Sequence, residues 1–219
     1  MGRFGDKSGM TQPSEDLKRE FGELDIYLFD QLHRGRITEG MKVLDAGCGG
    51  GRNLVYLLRR GFDVWGTDSD ERAIAAVRAQ AAALAPSLPA DQFRVEPVER
   101  MSFADESFDV VISSAVLHFA RDEAHWESML REMWRVLRHD GLFFARLATD
   151  IGHERRVRPL GNRRYVMPDG DERFLVDEAY LVAATARVGG TLVDPLKTSV
   201  VQDTRSMMTW VARRTALSN

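Results

Sequence analysis

The stretch LDAGCGGGRN, Leu44–Asn53, decides how the rest of the chain is read. Five of its ten residues are Gly or Ala, and Asp45 stands just ahead of the glycines. The run MKVLDA that leads into it is short, apolar and bounded by glycine, which predicts a buried strand. The segment RNLVYLLRRG that follows has helical spacing and stops at Gly61 behind two arginines, whose charge suits a helix C-terminus. A glycine loop between strand and helix lets backbone approach a ligand closely, and the helix start favours polar or negative groups.

Working outward, apolar segments alternate between the two periods. FGELDIYLFDQL places Phe21, Leu24, Leu28 and Leu32 at helical spacing. FDVWGTD predicts a second strand, SDERAIAAVRAQAAALA a helix capped by Ser69 or Asp70, QFRVEPV a third strand and FDVVISSA a fourth. Trp126, Met129, Leu130, Met133, Val136 and Leu137 form one apolar stripe of a helix expected to end at Gly141, and LFFARLA reads as a fifth strand. Such alternation predicts a mainly parallel sheet with helices on both faces. The last third differs: two short strands flank a Pro-Asp-Gly turn in RRYVMPDGDERFLV, DEAYLVAATARVGG is a helix, and TLVDPLKTSVV with MMTWVARR reads as a closing antiparallel pair.

The chain has 219 residues, 44% of them hydrophobic and 29% charged, which suits one soluble domain with a substantial core. The formal charge of −3 gives no electrostatic footprint for nucleic acid. No apolar run approaches the roughly 20 residues that span a bilayer. The first residues lack the apolar core of a secretory signal, Met1-Gly2 lacks a lipidation continuation, and residues 1–14 are expected to form a disordered tail. The single cysteine, Cys48, allows no internal disulfide or Cys metal cluster, so a reducing cytoplasm is expected and no metal site is read.

The dinucleotide fingerprint G-x-G-x-x-G fits only in part: Gly47 and Gly49 match, but the third position is Arg52, with Gly51 one residue early. A carboxylate at Asp45 repels a pyrophosphate and attracts an ammonium group. The second strand ends in Asp68, about 20 residues on, where an acid takes both ribose hydroxyls. Together these favour a nucleoside with a cationic amino-acid tail, a description of S-adenosyl-L-methionine.

At these residues the chain resembles the class I S-adenosylmethionine-dependent methyltransferases. VLDAGCGGGRN is similar to their first motif, VWGTD to the second, FADESFDVVISSAVLHF to the fourth-strand motif and MWRVLRHDGLFFARLA to the helix, turn and fifth strand. The likeness covers about Met41 to Ala148, is of the small bacterial type (methyltransferase domain 11/25-like), and includes a Gly-Arg-Asn continuation similar to the tellurite-resistance type. It implies a Rossmann-like, doubly wound α/β fold with a mainly parallel seven-stranded sheet and an antiparallel last strand. The expected divisions are an N-terminal helical lid over 15–40, a cofactor-binding core over 41–148, a substrate-side insertion over 149–176, and a closing helix and strands over 177–219.

Carried over residue by residue, the resemblance implies that Asp45 holds the methionine ammonium, while Gly47, Cys48 and Gly49 line methionine and ribose by backbone. Arg52 would reach the methionine carboxylate, Asp68 the ribose diol, and Ser69 would flank the adenine. Val98 and Glu99 would face the adenine edge, and Ser113 and Ser114 the methionine portion. One departure is Pro97, which stands where the family often has Asp. Tyr27, on the expected lid helix, is a candidate for cation–π contact with the sulfonium. His118 follows the fourth strand at the crevice where α/β ligands sit, and is the candidate general base.

Plainer readings stand beside these. Arg52 can be solvated, Tyr27 part of an ordinary amphipathic helix, and His118 a packing residue. Cys48 reads as a small filler with no base beside it. His125 and His139 read as structural, Trp126 and Trp134 as core, and Arg155, Arg156, Arg158, Arg163 and Arg164 as a solvated connecting segment rather than an anion site. The functional expectation is methyl transfer to a small-molecule acceptor by in-line displacement, with neither nucleic acid nor membrane as partner. The alternatives are a non-catalytic S-adenosylmethionine-binding protein and a nicotinamide-dependent oxidoreductase. The acceptor atom and the oligomeric state are not legible.

Overall fold

The computed structural model describes residues 13–152, 154–202 and 204–215. In chain order the elements are α1 (Pro13–Phe21), α2 (Ile26–His33), β1 (Lys42–Ala46), α3 (Val55–Arg59), β2 (Asp63–Asp68), α4 (Glu71–Leu84), β3 (Phe93–Val95), β4 (Phe108–Ser114), α5 (Glu123–Val136) and β5 (Leu137–Ala148). They continue as β6 (Arg158–Gly161), β7 (Arg164–Val166), β8 (Glu172–Phe174), α6 (Glu178–Arg187), β9 (Gly190–Leu192), β10 (Lys197–Val201) and β11 (Arg205–Arg214).

The main sheet runs β10-β11-β5-β4-β1-β2-β3, with β9 added beside β11. Strands β1 to β5 pair in parallel, and β11 is antiparallel to β5, β10 and β9. The fold is therefore the doubly wound α/β sheet with one reversed last strand. Chain order reverses between β1 and β4, so the C-terminal ends of these two strands open the crevice in which such sheets bind ligands.

Both sheet faces are covered, which is why the central strands read as continuous apolar runs rather than alternating ones. Leu44, Val111, Phe143 and Ala145 pack with Trp126, Met133 and Trp210 on one face. Val43, Val64, Val110, Ile112 and Phe144 pack with Leu28, Leu57, Ile74 and Val77 on the other. Trp126 is fully buried, its ring stacked on Trp210 at 6.3 Å.

Three boundaries differ from the sequence expectation. The periodic stretch from Phe21 to Leu32 is two helices rather than one: Gly22, at φ +62°, ends α1, and the Asp25 side chain caps α2 by accepting the Tyr27 N–H at 2.9 Å. Gly141 does not cap α5. That helix stops at Val136 and runs straight into β5, where Asp140, at φ +58°, and Gly141 form an irregularity in the strand. The expected tail over 1–14 falls outside the described residues except for Pro13 and Ser14, which begin α1.

Asp25 also ties α2 to the rest of the molecule. Its Oδ2 accepts from Arg146 Nη1 at 2.7 Å, and its backbone N–H donates to Asn53 Oδ1 at 3.1 Å, so the N-terminal helices are fastened to β5 and to the segment after the glycine loop. The carboxylate side chain is fully buried. Asp25→Ala removes a helix cap and strands the Arg146 guanidinium; the expected cost is about 3–5 kcal/mol, a fall in Tm of roughly 10 °C by calorimetry.

The segment 149–176 leaves the sheet and returns to it, its ends joined by a parallel bridge between Thr149 and Val176. It carries a small antiparallel sheet of β6, β7 and β8, including the two expected strands around Pro168-Asp169-Gly170. Arg173 of this sheet stacks on Phe119, which follows β4, at 4.7 Å.

Candidate cofactor site

Asp45 sits near the end of β1, paired in register with Gly66 of β2 and Ile112 of β4. Central strands on both sides leave it 1% exposed, and neither carboxylate oxygen has a hydrogen-bond partner. Burial raises its pKa to about 7; Arg52 opposes the shift and Asp68 adds to it. A buried carboxylate without a partner is costly, and here it stands beside the glycine loop, at the sheet's switch point.

The loop is stitched to β2. The Gly47 and Cys48 N–H groups both donate to Thr67 O, at 2.8 and 2.9 Å, and the Gly49 N–H donates to Asp68 Oδ2 at 2.9 Å. The other Asp68 oxygen accepts the Asp70 N–H at 3.0 Å. Each oxygen keeps a second lone pair, so Asp68 is held in place by backbone and remains able to accept from a diol. Gly47, at φ +81°, passes so close to Val116 that a Cβ would lie 2.5 Å from its Cγ2. Gly47→Ala is expected to cost about 2–4 kcal/mol from the left-handed backbone and the clash, and to weaken S-adenosylhomocysteine binding in titration calorimetry by displacing the loop. A Cβ on Gly49 would meet open space, so that stretch of backbone is accessible to a ligand.

Cys48 is buried, with its thiol pKa pushed up by that burial and by Asp45 and Asp68, and its Sγ lies 3.0 Å from where a Gly66 Cβ would be. It fills space and makes a poor nucleophile. Arg52 Nη2 donates to Ser114 Oγ at 2.8 Å, joining the glycine loop to the end of β4. Ser113 is fully buried and its Oγ has no partner.

A cavity of about 490 Å³ opens at these strand ends. Of the expected residues, Gly47, Asp68, Ser69, Val98 and Glu99 line it, together with Pro97, Ala115, Val116, Phe119, Arg121, His125 and Met129. Asp45, Cys48, Gly49, Ser113 and Ser114 lie at the adjoining ends of β1 and β4 and in the loop between, outside this lining; Arg52 lines a second cavity of about 300 Å³ toward α1.

Two of the expected residues are engaged by other groups. Tyr27 does not line the main cavity: its ring already carries the Arg146 guanidinium at 5.0 Å, and its hydroxyl is hydrogen-bonded to Ser199. That leaves it poorly placed to receive a sulfonium. His118 is held by the backbone of β5. It is 6% exposed, its Nδ1 accepts the Ala148 N–H at 3.2 Å, and the ring proton therefore sits on Nε2. Burial, with Arg173 nearby, lowers its pKa to about 4, so the neutral ring has its lone pair committed and little affinity for a proton. In the arginine-rich segment, Arg163 pairs with Asp177 at 3.0 Å and Arg164 pairs with Glu172.

The lining also includes residues that sequence reasoning assigned elsewhere. His125 lies in the first turn of α5, where the helix begins beside the crevice. Its Nδ1 accepts the Arg121 N–H at 3.1 Å, and its Nε2 stands 3.2 Å from Glu99 Oε1. Ala115, at φ +65°, holds a strained backbone where β4 leaves the sheet. Ala115 was signalled by its position just past the end of β4, whereas His125, in the first turn of α5, carried no such signal. Among the described residues, no group of three or more His, Cys, Asp or Glu could hold a metal ion, and no helix is long and apolar enough to cross a membrane.

The family model described as a methyltransferase domain matches residues 44–145, the stretch that carries the glycine loop, Asp68 and the β4 and β5 strands. The matched stretch is just under half of the chain. A ubiquinone biosynthesis O-methyltransferase from Sinorhizobium medicae is 37% identical over 84 residues, 38% of this chain and 33% of that one. An uncharacterised methyltransferase from Synechocystis is 32% identical over 107 residues, 49% of this chain and 47% of that one. The chain thus spans a third to a half of the length of these curated relatives. Among solved structures, a SAM-dependent methyltransferase from Methanosarcina mazei superposes with a TM-score of 0.71 at 21% identity, covering 84% of this chain and 97% of that one. At that identity the likeness speaks for the fold.

Proposed function

We propose that this protein binds S-adenosyl-L-methionine at the ends of β1, β2 and β4 and transfers its methyl group to a small-molecule acceptor. The observation that carries the reading is Asp45: a carboxylate 1% exposed, with no partner on either oxygen, beside a backbone loop that admits a ligand. An ammonium group supplies the missing partner. Asp68 accepts from the ribose diol, the Gly47–Gly49 backbone lies along the ligand, and Arg52 with Ser114 meets its carboxylate. Ser69 and Val98 flank the base, and Glu99 meets its edge.

When bound, the sulfonium provides an already activated methyl group. What remains for the chain is to hold the donor still and exclude water, and positioning of this kind contributes roughly 7–11 kcal/mol. We assign the lid role to 15–40, with Asp25 as its fastening, and the acceptor wall to 149–176 with Phe119 and Val116. A soft acceptor needs no base. An acceptor that must lose a proton needs a group other than His118, whose lone pair is committed. The low-molecular-weight acceptor and a cytoplasmic setting belong to the same proposal.

Titration calorimetry with S-adenosylhomocysteine and with NADH tests it. Binding of the first and not the second is the expected result, because Arg52 occupies the third glycine position and Asp45 repels a pyrophosphate. Binding of NADH alone overturns it in favour of a nicotinamide enzyme. Binding of S-adenosylhomocysteine with no turnover against thiol, phenol and amine acceptors favours the non-catalytic alternative.

A further inference from the structure

We infer that His125 is a positioning residue for cofactor recognition: it holds the Glu99 carboxylate toward the 6-amino group of the adenine. The inference rests on the reading of the cavity as the S-adenosylmethionine site.

Three observations meet here. First, Pro97, which follows the third strand, lines the cavity with a ring that can neither donate nor accept by side chain. Glu99, two residues on, and Asp68 are the carboxylates in that lining. Second, the His125 tautomer is set by the backbone. Its Nδ1 accepts the Arg121 N–H at 3.1 Å, which places the ring proton on Nε2. Third, Nε2 is buried, has no hydrogen-bond partner, and stands 3.2 Å from Glu99 Oε1. The contact does not have hydrogen-bond geometry, so it is a close charge–dipole one.

The frame behind this pair is firm. Asp122 caps α5 by accepting the His125 N–H at 2.7 Å, and the Arg121 carbonyl accepts from Arg164 Nη1 at 3.0 Å. The imidazole is therefore tied to the helix start and, through Arg121, to the small sheet of the 149–176 segment. With one Glu99 oxygen against His125, the other is left to accept from an exocyclic amine. A carboxylate accepts but cannot donate, so it welcomes the 6-amino group of adenine and repels the 6-oxygen of hypoxanthine.

The test compares S-adenosylhomocysteine with S-inosylhomocysteine, which differ at the 6-substituent and at the adjoining N1, an acceptor in adenine and an N–H in hypoxanthine, by titration calorimetry on the whole chain. The wild type is expected to prefer the adenosyl compound by about 30-fold or more, the worth of a hydrogen bond to a charged group. Glu99→Gln, whose amide can donate to the 6-oxygen, is expected to lose most of the preference. His125→Phe is expected to reduce it several-fold, and His125→Gln, which keeps an N–H near Glu99, to restore most of it. A role in packing alone would weaken both ligands equally and leave the ratio unchanged. A wild-type ratio in His125→Phe, or no recovery in His125→Gln, overturns the inference while leaving the cofactor site standing. Failure of S-adenosylhomocysteine to bind the wild type removes both.

Discussion

Asp45→Asn is expected to weaken S-adenosylhomocysteine binding by at least ~100-fold and, at the same time, to raise the Tm of the cofactor-free protein. The affinity loss follows from breaking a buried charge pair by removing one member, which typically costs several kcal/mol. The stability gain has the same origin. A folded-state pKa of about 7 against an ordinary 3.8 means that ionised Asp45 destabilises the empty protein by about 4 kcal/mol. Asparagine removes that charge but remains a buried polar group, so the net gain is smaller, about 5 °C in Tm. The sign with pH is fixed. The penalty is complete above about pH 7, shrinks on acidification as the folded carboxyl takes up its proton, and is gone below the unfolded value. The Tm advantage of Asp45→Asn is therefore expected at pH 8 and absent near pH 4. His118 works in the opposite direction in wild type and variant alike: with its pKa lowered to about 4, it costs stability as pH falls from about 6.5 toward 4.

The second large effect is Asp68→Ala. This carboxylate accepts the Gly49 and Asp70 N–H groups and has lone pairs left for two hydroxyls. Its removal takes away two hydrogen bonds to a charged acceptor and the anchor of the glycine loop, an expected loss of ~100-fold or more in affinity. Asp68 is only partly buried and forms no part of the apolar core, so the circular dichroism spectrum is expected to stay that of the folded protein, with a Tm lowered by several degrees through the lost Gly49 and Asp70 hydrogen bonds. Unchanged affinity in a folded Asp68→Ala variant would count against the whole assignment of the cavity.

What was legible in the sequence follows from how local each signal is. The glycine loop, the acid at the tip of β2 and the parallel order of β1 to β5 rest on short-range pattern and chain order, and they appear in the structure where the pattern put them. The break between α1 and α2 was hidden because Leu24 and Leu28 keep helical spacing across Gly22. The end of α5 was hidden because Leu137 continues the apolar stripe although its backbone is already strand. Long-range partners carry no sequence signal of this kind. Nothing near Tyr27 announces Arg146 or Ser199, and nothing near His118 announces that Ala148 will claim its lone pair. His125 was read as an ordinary helix residue because only the tertiary fold brings the start of α5 against Glu99.

The central claim is that the buried, unpartnered Asp45 carboxyl is held in reserve to ionise against the ammonium of the cofactor's amino-acid tail. The most direct measurement is the number of protons released when S-adenosylhomocysteine binds at pH 6, from calorimetry in buffers of different ionisation heat. In the empty protein Asp45 is then mostly protonated, and pairing with an ammonium forces it to ionise. Release approaching one proton per ligand, lost in Asp45→Asn, is the result expected; tight binding without proton release, equally tight in Asp45→Asn, would contradict it.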